Sequence, residues 1–256
     1  MSFGFLVMLR DKLLNIEKDL SLPLNFVRAL VSTYNVEDSC FKFGNDADKF
    51  HLDSELDDIL YLTGFPINGM QVSGMIHKDN VQLLKTHLAL SKPVAKDFLI
   101  IKSKQGMTSG VDLNKLLAHF QKPEIISQVD VGILAKVFIF YGLGYVLLPT
   151  RTSVGQPHYL PLLGEEMKKY AWGAAMLAHI KGDLDDIIRS QAKPIPKASI
   201  SCFSLALTIF ALERFPILTR ELVLDVPTEV PLSLGWIDVI INHFRPKSSK
   251  RKSYAE

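Results

Sequence analysis

The stretch HLDSELDDILYLTGFPINGMQV, His51 to Val72, decides the architecture. Leu56, Ile59 and Leu60 recur at three- and four-residue steps, the spacing that lines one face of a helix with apolar side chains. Asp53 or Ser54 stands where the N-cap belongs, since a short oxygen-bearing side chain accepts from the orphan N–H groups of a first turn. Ser54 with Asp57 three residues on approximates a capping box, with Asp in place of the usual Glu. Gly64 suits the left-handed position that closes a helix, and Pro66 prevents its continuation. Gln71 and Val72 then return as a strand. Their expected partner is CFKFG, Cys40 to Gly44, where Phe41 and Phe43 alternate around Lys42, with polar Asn45 to Asp48 as a turn.

Helical periodicity spreads outward from this block. Leu13, Leu14, Ile16, Leu20, Leu24, Val27, Leu30 and Val31 mark helices over residues 11–34, with Pro23 opening the second and Tyr34 and Asn35 ending it. Residues 79–101 read as helical turns broken by Pro93, Lys102–Gly110 as a loop, and Val111–Phe120 as a helix, with a new segment from Pro123. Ser127–Leu148 reads as a long central helix, because it is apolar on nearly every face. Pro149–Pro161 reads as a loop carrying Arg151, Thr152 and Ser153, and Leu162–Ile188 as helix. Ala198–Phe215 is a further buried helix ended by Pro216, and Trp236–Phe244 an amphipathic turn. The prediction is a mainly α, multi-helix globular domain with a small β-hairpin or sheet near residues 40–75. It occupies residues 1–244 and is followed by a basic tail, 245–256.

Composition narrows the function. The chain has 256 residues, 48% of them hydrophobic and 22% charged, enough apolar material for a sizeable core. Its net charge of +2 gives the body no general attraction for nucleic acid. Cys40 and Cys202 lie too far apart for a zinc spacing and read as reduced buried thiols. Residues 1–14 lack a basic region ahead of an apolar core and make a poor signal peptide. Ile133–Leu148 contains Lys136 and is short for a membrane span, so a buried helix is expected and no membrane partner.

Several segments, in order, resemble a known family. FGFLVML at 3–9, CFKFG with LDSELDDILYLTGFPINGMQV, YGLGYVLLPTRTSV at 141–154, YLPLLGEEMKKYAWGAAMLAHI at 159–180 and SCFSLALTIFALERFP at 201–216 resemble the plant mobile domain, also called an aminotransferase-like plant domain. Ser201 and Phe210 depart from its usual Gly and Trp. The resemblance implies kinship with transposon-encoded proteins and with MAINTENANCE OF MERISTEMS-like host proteins. Those are nuclear and tied to transposon silencing, gene-expression control and meristem maintenance, with a phosphatase-like partner that carries the same domain. Its signature positions here are Gly64, Pro66, Gly69, Pro149, Trp172, Gly173, Glu213 and Arg214.

The residues themselves argue for no catalytic centre and no cofactor. Pyridoxal phosphate chemistry needs a Schiff-base lysine, a pyridine partner and a phosphate cradle, and no lysine here sits in such a setting. None of the seven histidines, His51, His77, His87, His119, His158, His179 and His243, forms an HxxxH or HExxH pair, so no metal is expected. Gly142, Gly144 and Gly155 make no phosphate loop. Glu213 and Arg214 read as a helix-end charge or buried ion pair rather than a partner contact, and Trp172 as a core anchor. The tail reads equally as a solvated terminus and as a segment for nuclear import or nucleic-acid contact through Arg245, Lys247, Lys250, Arg251 and Lys252.

The function expected is therefore that of a non-enzymatic nuclear interaction module with a protein partner, a phosphatase-like protein or another plant mobile domain protein. One alternative is a nucleic-acid-binding module of a mobile element with weak affinity. The other is an enzyme with an unrecognised site.

Overall fold

A computed structural model describes residues 24–43, 50–52, 55–73, 79–102, 107–150, 154–191, 204–221, 224, 226–228 and 232–244. The fold is mainly α. Helix α1 (Leu24–Ser32) leads into a three-stranded antiparallel sheet of β1 (Tyr34–Asn35), β2 (Cys40–Phe43) and β3 (Phe50–Leu52). Phe41 faces both Tyr34 and Leu52 in the register. The helix expected after His51 is α2 (Leu56–Thr63). Glu55 is its N-cap, and the Glu55 N–H donates to Asp58 Oδ2 at 3.0 Å; Asp53 and Ser54 lie outside the described residues. Gly64 closes the helix at φ 69° and donates to the Leu60 carbonyl at 2.7 Å.

Aspartates set the starts of the next helices. Asp79 accepts from Gln82 N–H at 3.0 Å to begin α3 (Asn80–Leu88). Pro93, in the first turn of α4 (Lys92–Phe98), starts that helix rather than breaking one, since the missing N–H has no partner there. Strand β4 (Leu99–Lys102) then pairs with β5 (Met107–Asp112), and β5 with β6 (Val154–Gly155), in a second antiparallel sheet. Asp112 caps α5 (Leu113–Phe120) by accepting from Lys115 N–H at 3.0 Å. After the short α6 (Pro123–Ile126), Asp130 caps α7 (Val131–Gly142), which continues as a π-helical turn over Leu143–Leu147. Two 3-10 segments, Pro157–Leu162 and Glu165–Lys169, precede α8 (Trp172–Ser190). The described chain ends through α9 (Ser204–Arg214), α10 (Pro216–Glu221) and α11 (Leu232–Phe244).

One hydrophobic core runs from Val27 to Ile240 through all these layers. Helix α2 packs against α8 and α9, α9 against α1 and α11, and α5 against α7. The π-helical turn that continues α7 reaches α8, whose neighbour α2 packs against α9. None of the described helices is long and apolar enough to cross a membrane.

Besides the N-cap and Pro93, other expectations are corrected, and Trp236–Phe244 lies within helix α11 rather than in a turn. Tyr34 and Asn35 are a strand rather than a helix end, and they, with Phe50–Leu52, supply the partners of Cys40–Phe43. Gln71 and Val72 are not strand residues; Met70 forms an isolated parallel bridge with Tyr170. Lys102 and Met107–Gly110, expected as loop, are strand residues of β4 and β5. Residues 162–171 are 3-10 turns and connection, so the α-helix begins only at Trp172. The helix expected over 11–20, the turn at 45–48, Arg151–Ser153 and Cys202 lie outside the described residues.

Candidate functional site

The signature residues converge into seams. The turn after α2 lies against the entry to α8. The N–H of Gly173 donates to the Pro66 carbonyl at 2.8 Å, Met70 N–H to the Lys169 carbonyl at 2.7 Å, and Ala171 N–H to the Met70 carbonyl at 2.9 Å. Gly69 holds φ +140°, and a Cβ there would stand 2.4 Å from the Lys169 oxygen. Trp172 is 1% exposed. Its indole Nε1 donates to the Met167 carbonyl at 2.9 Å, and its ring meets Tyr159 and Tyr170 edge-on or tilted.

A second seam joins the end of α9 to its neighbours. The Arg214 guanidinium pairs with the Asp58 carboxylate on α2 and lies 5.9 Å from the Phe210 ring centroid. Glu213 accepts from Nε1 of Trp236, a residue with no exposed surface. The Pro149 carbonyl accepts from His179 Nε2 at 3.0 Å. Gly144 and Gly155 leave room for Leu113, whose methyl carbons a Cβ at either position would meet at 2.3 and 2.6 Å. The five basic tail residues lie outside the described residues.

Among the described residues, no three His, Cys, Asp or Glu side chains stand together as ligands for an ion. Among the described residues, the Tyr34 hydroxyl and Asp185 Oδ1 are buried and lack a partner in hydrogen-bond geometry, while Ser39 and Asp185 stand close enough to the phenol to act on it. Burial raises the Tyr34 phenol above its usual value, the opposite of the activation a nucleophile or base requires.

An open concavity lies elsewhere, between α4 and α5. It holds about 460 Å³ and is lined by Pro93, Val94, Asp97, Phe98, Lys115, Ala118, His119 and Lys122. The buried Phe98 ring forms its floor, Val94 is half-buried, and Pro93 and Ala118 are exposed. Lys115 Nζ pairs with Asp97 Oδ1 at 2.8 Å and donates to the Asp97 carbonyl at 3.0 Å. The His119 ring packs edge-on against Phe98 at 5.3 Å and Phe120 at 5.2 Å. Burial and, after it, the Lys122 charge lower the His119 pKa from 6.5, with Glu124 opposing. Its imidazole is therefore neutral at neutral pH.

Of these lining residues, sequence reasoning had singled out only Pro93 and His119, and neither as part of a surface. The available signal was the pairing of KPVAKDF and LNKLLAHF as short amphipathic helices with lysines on their polar faces. Nothing in either segment shows that the two polar faces border one groove.

A family model described as plant mobile domain matches residues 52–254. The match covers both seams and the groove. No curated protein and no solved structure matches the chain.

Proposed function

The chain belongs to the plant mobile domain family, and from that premise we propose that it acts as a non-enzymatic, nuclear protein-interaction module. The observation that carries this reading is the amphipathic groove between α4 and α5. Its polar groups are two lysines, one aspartate already paired with a lysine, and one imidazole, around an apolar floor. That is the make-up of a contact surface: exposed apolar positions give binding area and the charged rim gives orientation. The ion pairs elsewhere among the described residues, Arg214 with Asp58, Lys169 with Glu166, Arg189 with Asp185 and Lys42 with Asp38, join neighbouring segments or residues three or four apart. Catalysis asks instead for groups held convergent on one substrate position.

The nuclear assignment rests on family kinship and on the basic residues of the tail. By the same kinship the partner is a phosphatase-like protein or another plant mobile domain protein, and the processes served are transposon silencing, gene-expression control and meristem maintenance. The rival reading, a nucleic-acid-binding module, draws its support from Arg245, Lys247, Lys250, Arg251 and Lys252.

The test is affinity purification of the tagged full chain from plant nuclei, with and without nuclease, followed by mass spectrometry. A stoichiometric protein partner that survives nuclease supports the reading. Recovery of nucleic acid, with every protein lost on nuclease treatment, transfers the function to the rival.

A further inference from the structure

We propose that the groove between α4 and α5 is a docking site for an acidic, amphipathic peptide segment of a partner protein. The inference rests on the interaction-module reading and gives it a place on the surface and a chemistry.

Charge supplies the first part of the argument. Lys92–Phe98 and Asp112–Lys122 together carry four lysines against two aspartates. Both aspartates are already engaged: Asp97 holds Lys115 by an ion pair, and Asp112 caps α5. Lys122 on the rim makes no ion pair among the described residues, and its charge already disfavours a second cation at His119. A carboxylate entering the groove would meet Lys122 at once and could share Lys115 with Asp97. An entering lysine would have to compete with Lys115 for Asp97 and would face the charge of Lys122.

The floor supplies the second part. Exposed Pro93 and Ala118 and half-buried Val94 offer an apolar bed above the buried Phe98 ring, and covering it removes apolar area from water. A segment with an apolar side chain between Val94 and Ala118 and an acidic one toward Lys122 satisfies both halves of the site. This is the arrangement by which a short amphipathic helix or turn lies in a groove between helices. Nucleic acid fits less well. Its phosphates would use the lysines but leave the apolar bed uncovered, and sequence-independent binding of single strands needs aromatic faces for base stacking. Here Phe98 is buried, and His119 is half-buried with its ring packed against Phe98 and Phe120.

The experiment uses the full chain and four probes. These are a fluorescein-labelled peptide with Leu and Glu at i, i+4 spacing, its counterpart with Gln in place of Glu, a mixed-sequence single-stranded DNA and a duplex DNA. Binding is read by anisotropy, and the site is mapped by amide chemical-shift changes. The Glu peptide is expected to bind, the Gln peptide at least about tenfold more weakly, with shifts confined to residues 93–98 and 115–122. Lys122→Glu, which reverses the rim charge, and Ala118→Trp, which fills the bed, should each weaken binding at least about tenfold at unchanged melting temperature. Lys168→Glu makes the same charge change outside the groove and should leave binding as it was. No binding by the Glu peptide, equal binding to Lys122→Glu, or tighter binding of either DNA at the same residues overturns the proposal. If nuclear purification with Lys122→Glu and Ala118→Trp still captures the wild-type partner, the groove is wrong and the module reading stands. If the wild-type chain captures no partner, the module reading itself fails.

Discussion

The backbone N–H of Gly173 donates to the carbonyl oxygen of Pro66 at 2.8 Å, locking the turn that follows α2 onto the first residues of α8. Room for that contact exists because Gly173 has no Cβ. One built there would lie 3.0 Å from the Phe65 carbonyl and from Ile67 Cγ2, and 3.2 Å from the Pro66 carbonyl. Two of those three atoms are backbone and cannot rotate away. Gly173→Ala should therefore cost ~1–3 kcal/mol by overpacking, measured by urea unfolding. Gly69→Ala should cost more, because it adds a left-handed φ of +140° to a 2.4 Å approach to the Lys169 oxygen. A Gly69→Ala chain with unchanged unfolding would show that the turn does not depend on that close approach.

Local signals were legible where one short stretch holds the whole cause. The end of α2 at Gly64 follows from a helix stripe and one glycine, and α5 follows from its own apolar spacing. Pairing partners were not legible. The alternation of Phe41 and Phe43 marks a strand, but its neighbours are Tyr34–Asn35 and Phe50–Leu52, which look like a helix end and a cap approach. The hairpin of β4 and β5 is hidden because KSKQGMTSG is polar and β6 joins it from residue 154 onward. The signature glycines and Trp172 could be named from the sequence. That Gly69 and Gly173 serve one seam is set by packing between distant segments, and no local pattern encodes it.

Arg214 and Asp58 form the ion pair that ties the end of α9 to the first turn of α2. The Arg214 side chain is 45% exposed and that of Asp58 14%, so solvent screens part of the attraction. A double-mutant cycle of Arg214→Ala and Asp58→Ala should give a coupling of about 1 kcal/mol. Asp58→Ala alone should cost more than Arg214→Ala alone, since Asp58 also accepts from the Glu55 N–H at 3.0 Å. Equal single-mutant costs with zero coupling would mean that the pair holds nothing.

Trp236 has no exposed surface, and Glu213 accepts its indole N–H. Glu213→Gln keeps an oxygen acceptor at the same reach and should be mild. Glu213→Leu leaves a buried N–H without a partner and should cost ~1–3 kcal/mol in thermal or urea unfolding. Trp236→Phe in the Glu213→Leu background should recover part of that loss, because it removes the orphaned donor while keeping an aromatic ring. An additive result would show that the two side chains act independently.

His119 gives stability a pH dependence of definite sign. Its folded pKa lies below 6.5, through burial first and Lys122 second. Above about pH 7 the imidazole is neutral in both folded and unfolded chains and contributes no slope. As pH falls through 6.5 the unfolded chain takes up the proton first, so folding weakens until the folded pKa is passed. The stability difference between the wild type and His119→Gln should therefore be flat above pH 7 and move against the wild type below it. Lys122→Gln should shrink the effect without abolishing it, because burial acts first. A wild type that gained stability on acidification relative to His119→Gln would reverse the assignment.

Positive charge is concentrated beyond the body. Arg245, Lys247, Lys250, Arg251 and Lys252 stand against one acid, Glu256, in residues 245–256. Truncation after Phe244 removes a net +4 from a chain of +2 and leaves a formal charge of −2. Phosphate contacts by lysine and arginine release counterions, so affinity that depends on them falls steeply with salt. Whatever affinity the full chain has for mixed DNA or RNA should therefore be weak, should drop further between 50 and about 200 mM salt, and should vanish on truncation. The same truncation should slow nuclear entry of a fluorescent fusion too large to diffuse through pores. Binding to the Leu/Glu peptide should survive it, because the groove's lysines, Lys115 and Lys122, lie on α5 and in the turn that follows. The two ligands thus report on separate surfaces. If the truncated chain kept its nucleic-acid affinity but lost the peptide, the groove would need the tail and both assignments would have to be exchanged.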